Sequence, residues 1–84
     1  MAKFRVTFKQ GESSTALIIE DDVTQLDVET HIIDNLTKHS VVSFPLRGGV
    51  ATEIIPTGQI TGVVVNKVSV TGEFTDLASI KFHN

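Results

Sequence analysis

The chain has 84 residues and a formal net charge of -3, and it contains no cysteine, tryptophan or tyrosine. This length accommodates one domain, residues 1–84. The lack of cysteine excludes disulfides, thiolate zinc sites and cysteine nucleophiles, and it favours a reducing compartment. No stretch has the apolar length of a signal-peptide core or a membrane span, so we expect a cytoplasmic protein that does not enter the membrane.

The first half predicts a hairpin followed by a helix. Lys3–Lys9 alternates polar and apolar residues, which is the pattern of a half-buried strand. Turn-forming residues follow, and Thr15–Glu20 predicts the returning strand. Thr24 and Asp27 have the spacing of a capping box, so we expect a helix over Thr24–Lys38. Its apolar face is predicted to contain five residues: Leu26, Val28, Ile32, Ile33 and Leu36.

One acidic residue does not fit the predicted helix face. By helical angle, Glu29 falls between Leu36 and Ile33 on the apolar side. Three explanations are open: the helix begins later, near Asp27, or Glu29 lies at the rim, or it faces a partner. We favour the late start.

The second half predicts strands alone. Residues 40–46 return to a period of two, and Pro45 indicates an edge strand because it cannot donate a ladder hydrogen bond. Arg47–Gly49 predicts a tight turn into a strand over Val50–Ile55. A long strand over Ile60–Val70, a turn over Thr71–Glu73 and a short strand over Ser79–Phe82 complete the chain.

These elements predict a small α+β domain. We expect a mostly antiparallel sheet of five or six strands in the order β-β-α-β-β-β, with the helix packed on one face. This element order resembles that of the β-grasp fold, the ubiquitin-like arrangement, and the resemblance concerns the fold alone. A small half-open β-barrel capped by the helix is the alternative.

Catalytic and metal-binding patterns are missing, so we expect no enzyme, no cofactor and no metal site. His31 and His39 are eight residues apart, which is not the spacing of a helical metal pair. Nucleophile elbows and phosphate-binding loops do not occur in the sequence. The acidic run Glu20–Asp22 lacks the ligand spacing of a calcium loop.

Charge is divided between two parts of the chain. Residues 10–37 contain seven acidic residues and no lysine or arginine, whereas the rest has a net charge of +4. An acid-rich segment of this kind is either a solvated helix face or a docking surface for a basic partner. The predicted docking residues are Glu20, Asp21, Asp22, Asp27 and Asp34.

Two valines on the long strand provide a second partner-binding prediction. The strand has apolar residues on both sides, with Val63 and Val65 beside Lys67 on one of them. A single helix covers one face of a sheet, so these valines must meet a second layer, a barrel interior or another molecule. We therefore expect a small non-enzymatic interaction module, of the kind found as accessory or assembly subunits in bacteria and phages. It would bind a partner protein or itself, most simply as a homodimer.

The alternative function is association with nucleic acid. Lys3, Arg5 and Lys9 project from one side of the first strand, and Lys67 would join them if the long strand pairs beside the first. Such a basic stripe could contact a phosphate backbone. Phe4 and Phe8 have the opposite parity, so the stripe lacks aromatic groups on which bases stack.

Overall fold

In the computed structural model, two antiparallel sheets and a helix surround a shared core. The structure describes residues 1–72 and 74–84, and the side chain of Arg47 is outside that description. These residues contain the strands β1 (Ala2–Gln10), β2 (Ser13–Asp21), β3 (Val41–Leu46), β4 (Ala51–Pro56), β5 (Gly62–Val68) and β6 (Lys81–His83), together with the helix α1 (Gln25–Leu36). Short 3-10 turns lie at Arg47–Gly49, Thr57–Gln59 and Leu77–Ser79.

The first sheet has the strand order β2-β1-β5. Its central strand pairs antiparallel with both neighbours, and Val6 lies opposite Leu17 on one side and Val65 on the other. Directly opposed residues of antiparallel strands point to the same face. This register therefore decides which face each β5 residue occupies.

The second sheet has the order β4-β3-β6, and it packs against the inner face of the first. Phe8 of β1 stacks on Phe44 of β3, with ring centroids 5.0 Å apart and an interplanar angle of 14°. Offset aromatic pairs of this kind stabilise a core beyond the area that they bury. The buried core comprises Phe4, Val6, Phe8, Leu17, Ile19, Val28, Ile32, Val42, Phe44, Ile55 and Ile80.

The chain between β5 and β6 crosses the outer face of the first sheet. The Lys3 ammonium donates to the carbonyl of Val70 and lies 5.8 Å from the ring centroid of Phe74. Thr75 then forms a parallel bridge to Ile19 at the opposite edge of the sheet. There the Thr75 carbonyl accepts a hydrogen bond from the Glu20 N–H at 2.8 Å. This crossing covers one end of the outer face.

The predicted α+β class is confirmed, but the strands do not form one sheet. Within the described residues, the six strands divide into two three-stranded sheets and do not close into a barrel. The division arises because β5 pairs with β1 alone, whereas β3 pairs with β4 and β6. The second sheet lies over the inner face and supplies, within the chain, a layer for the inner-face valines of β5.

Two predicted details need correction. Pro45 lies on the central strand of its sheet, not on an edge strand; β6 pairs only with Val41–Ser43, so Pro45 is beyond its reach. The long strand ends at Val68 rather than at Val70 because the chain leaves the sheet to cross it. Of the turn predicted over Thr71–Glu73, Glu73 is outside the described residues.

Candidate interaction surfaces

Three of the five predicted docking carboxylates have roles inside the fold. Glu20 lies 3.9 Å from the Lys3 ammonium in a partly exposed ion pair. Asp21 accepts from the backbone N–H of Leu77 at 3.0 Å, which fixes the turn that precedes β6. Asp27 closes the capping box of α1. Their negative charge remains at the surface, but their oxygens are already hydrogen-bonded or paired.

The capping box also changes the acidity of Asp27. The Thr24 backbone N–H donates to Asp27 Oδ2 at 2.8 Å, and the Asp27 N–H donates to Thr24 Oγ1 at 3.1 Å. The hydrogen bond from the Thr24 backbone, helped by the Thr24 side chain, lowers the pKa of Asp27 below its usual value. The cause is hydrogen bonding to the charged form, which favours ionisation.

The structure places Val63 and Val65 on the inner face of the first sheet, where of the three alternatives they meet a second layer of the same chain, so their assignment to a partner has no support from the fold. Val63 lies opposite Phe8 and Val65 opposite Val6. Both valines are half-buried and pack against the core. The sequence could not resolve this point, because a strand with apolar residues on both sides has no alternation from which to assign its faces.

The predicted basic stripe is also corrected. Lys67 lies opposite Phe4 in the register, so it has the parity of the inner face and does not join the lysines of β1. Lys3 is half-buried and bonded to Val70 and Glu20. Only Arg5 and Lys9 are left as exposed members of the stripe on the outer face.

Two apolar side chains that we assigned to the buried face of the helix are instead exposed. Leu26 is 68% exposed and Ile33 is 69% exposed, whereas Ile32 is 3% exposed. The apolar arc predicted from periodicity is wider than the part of the helix that touches the core. The buried residues of the helix are Val28 and Ile32. The width of the arc was the available signal, since an arc of about 160° exceeds the stripe of roughly 100° that one core contact needs.

These residues define one surface, which we call the helix docking face: Leu26, Glu29, Thr30, Ile33 and Asp34. Leu26 and Ile33 are seven residues apart, so they lie on the same side of α1 about 10.5 Å apart along its axis. Asp34 is exposed and Glu29 is half-buried. Exposed apolar residues surrounded by carboxylates are available for contact with another molecule.

Glu29 is explained by its position at the rim of the helix. The helix begins at Gln25, so the late start that we favoured is wrong. The side-chain amide of Gln25 donates to Glu29 Oε2 and to the carbonyl of Val65, each at 3.2 Å. The N-terminal turn of the helix is thereby tied to strand β5.

Two histidines, His31 and His39, contact the C-terminal part of the chain, and the third, His83, lies within it and contacts β3. His31 Nε2 lies 3.0 Å from the carbonyl of Ile80, and its ring meets that of Phe82 edge-on at 5.6 Å. His39 packs on Phe82 at 6.1 Å, and His83 Nε2 lies 2.8 Å from Ser43 Oγ. Among the described residues, no group of three or more metal-ligating side chains is gathered in one place.

Comparison with known proteins gives no match, whether with protein-family models, curated protein sequences or solved structures. In residues 1–72 and 74–84 there is also no helix with the length and apolar composition needed to cross a membrane.

Proposed function

We propose that this protein is a small non-enzymatic interaction module that binds a basic partner protein through the helix docking face. The observation that carries the proposal is the exposure of Leu26 and Ile33 on one side of an amphipathic helix. Isolated exposed apolar residues are ordinary on protein surfaces. Leu26 and Ile33 lie two helical turns apart within an acid-rich segment, so together they form an apolar surface beside negative charge.

Burial of the two side chains would contribute useful binding energy. Complete burial of a leucine or isoleucine contributes about 1.5–3 kcal/mol, so the two together supply about 2–4 kcal/mol after allowance for the area already covered. A helical partner with apolar residues seven positions apart matches their spacing. The binding mode that we propose is therefore helix against helix, with Leu26 and Ile33 as the central contacts.

The sign of the charge determines the kind of partner. Residues 10–37 carry seven carboxylates and no lysine or arginine. A partner segment with lysine or arginine beside its apolar residues would be attracted and oriented by this field. A second copy of the chain would bring two acid-rich helices together, which is unfavourable. The predicted homodimer stays a prediction, and Val63 and Val65, which pack against the core, no longer support it.

The cellular setting is part of the proposal. We place the module in the cytoplasm as an accessory or assembly subunit, and the lack of cysteine supports a reducing compartment. Nucleic-acid binding is the alternative, but Lys67 and Lys3 do not contribute to an exposed stripe, so the alternative has less support than the sequence suggested.

The proposal is tested by mapping a model partner on the protein surface. A helix-forming peptide of leucine and lysine, with leucines seven residues apart, is titrated into ¹⁵N-labelled protein. We expect the largest chemical-shift changes at Leu26, Thr30 and Ile33. A peptide with glutamate in place of lysine is the control and should cause no comparable change. Shifts spread evenly over the surface, or located on the strands, would contradict the proposal.

A further inference from the structure

A cleft of about 770 Å³ lies where the edge of the first sheet meets the end of β3. One wall contains Ala16 and Ile18 of β2, and the other contains Pro45 and Leu46 of β3. Phe74 also lines the cleft, and so do Gly48 and Gly49, which contribute backbone and no side chain. Most of the lining is apolar. This cleft is separate from the helix docking face.

The edge of β2 presents backbone hydrogen-bonding groups to this cleft. The Glu20 N–H donates to Thr75, so the backbone of Glu20 faces away from β1. Backbone groups alternate in direction along a strand, so those of Ile18 and Ala16 face the same side as those of Glu20. Among the described residues, Thr75 bridges this edge at Ile19, and a parallel bridge of this kind engages the Glu20 N–H and the Ile18 carbonyl, so the outward groups in question are those of Ala16 and the Ile18 N–H. The bridge is one instance of backbone pairing on this edge, and the cleft is lined by Ala16 next to it.

We infer that this cleft binds an extended peptide segment of a partner protein as an added strand on the edge of β2. Main-chain hydrogen bonds to Ala16 and Ile18 would hold the segment, as in other cases of strand addition. Alternate side chains of the segment would enter the apolar cleft between Ile18, Leu46 and Phe74. The ligand class is therefore an extended peptide with apolar or β-branched side chains.

The charge at the cleft defines the ligand further. Among the lining residues whose side chains are described, Arg5 carries the only formal charge, and its side chain is exposed. A guanidinium binds a carboxylate through two parallel hydrogen bonds. The segment should therefore carry a carboxylate, either an acidic side chain or a free C-terminus, close to its apolar residues.

The test uses an acetylated hexapeptide of alternating threonine and valine with a free C-terminal carboxylate. We expect the amide signals of Ala16 and Ile18 to shift on titration and their hydrogen exchange to slow. The variant R5Q should weaken binding about tenfold. Lys9 lies on the same strand and face but outside the cleft, so K9Q is the matched control and should bind as the unaltered protein does.

A second variant tests the backbone contact, and the peptide itself tests the carboxylate. A16P removes the outward N–H of Ala16 at a strand edge, where proline is tolerated, and should abolish binding while the protein stays folded. If A16P does not fold, the R5Q and K9Q pair decides the question.

The peptide also tests the carboxylate. If Arg5 recognises the free C-terminus, the unaltered protein should bind the hexapeptide with a C-terminal amide as weakly as R5Q binds the original hexapeptide. If an aspartate-containing peptide binds instead, Arg5 recognises a side-chain carboxylate. Equal losses in R5Q and K9Q, or shifts at α1 rather than at β2, would overturn the inference. Neither result bears on the helix docking face, which is probed by a different peptide.

Discussion

The pair Thr24 and Asp27 shows how a short sequence pattern determines local structure. The capping-box spacing predicted the start of the helix, and both reciprocal hydrogen bonds are present. Prediction succeeded here because every group involved lies within one turn of the chain. The assignment of Leu26 and Ile33 failed because burial depends on which part of the helix the core contacts.

Acidification should destabilise the fold through Asp27. Hydrogen bonds hold its pKa below the usual value in the folded state, so its stabilising contribution is present above the unfolded pKa and is lost as the pH falls through the folded value. We expect the urea midpoint to begin to fall as the pH approaches the ordinary aspartate pKa of about 3.9 and to continue falling below it. In D27N the side chain stays neutral, so the decline should be shallower. Parallel declines in the two proteins would contradict this role.

The helix has a buried face and an exposed face, and two adjacent isoleucines lie on different ones. Ile32 is 3% exposed against the core, and Ile33 is 69% exposed on the helix docking face. We expect I32A to lower the free energy of unfolding by about 2–5 kcal/mol, because it leaves a cavity. I33A should change it by no more than about 0.5 kcal/mol. Chemical denaturation measures both, and similar losses would show that the helix is oriented differently.

Strand β5 marks the limit of prediction at the scale of elements. The position of the strand in the chain was predicted from composition and turn residues. Which of its side chains point to the core was not, because the sequence Gly62–Val68 has apolar residues at successive positions. Only the register with β1 assigns Val63 and Val65 to the inner face. That register depends on residues more than fifty positions apart, which local patterns do not encode.

At the scale of the whole molecule, the division into two sheets depends on long-range pairing. The stack of Phe8 on Phe44 joins the two sheets in the core. We expect F44A to lower the free energy of unfolding by about 3–5 kcal/mol, through loss of the buried ring. I54A on the exposed side of β4 is the control, since Ile54 is 65% exposed. If both variants unfold at the same denaturant concentration, the packing of the sheets is not as described.

The distribution of charge is the feature of the whole molecule on which the proposed function rests. The helix carries three of the seven carboxylates of the acid-rich segment, together with the exposed Leu26 and Ile33. The sequence predicted the charge but not the exposed apolar residues. The valines that we assigned to a partner instead stabilise the core. We therefore propose the helix, rather than the outer face of the sheet, as the interaction surface.

The most direct test is the affinity of the leucine–lysine peptide for three proteins measured under one set of conditions. The double variant L26S/I33S keeps every charge of the helix docking face and removes its apolar contacts, and I54S removes an exposed isoleucine from a different surface. We predict that the double variant binds at least about tenfold more weakly than the unaltered protein, and that I54S binds equally well. Equal affinity for all three proteins would show that the peptide recognises only the acidic charge, and would contradict the docking face.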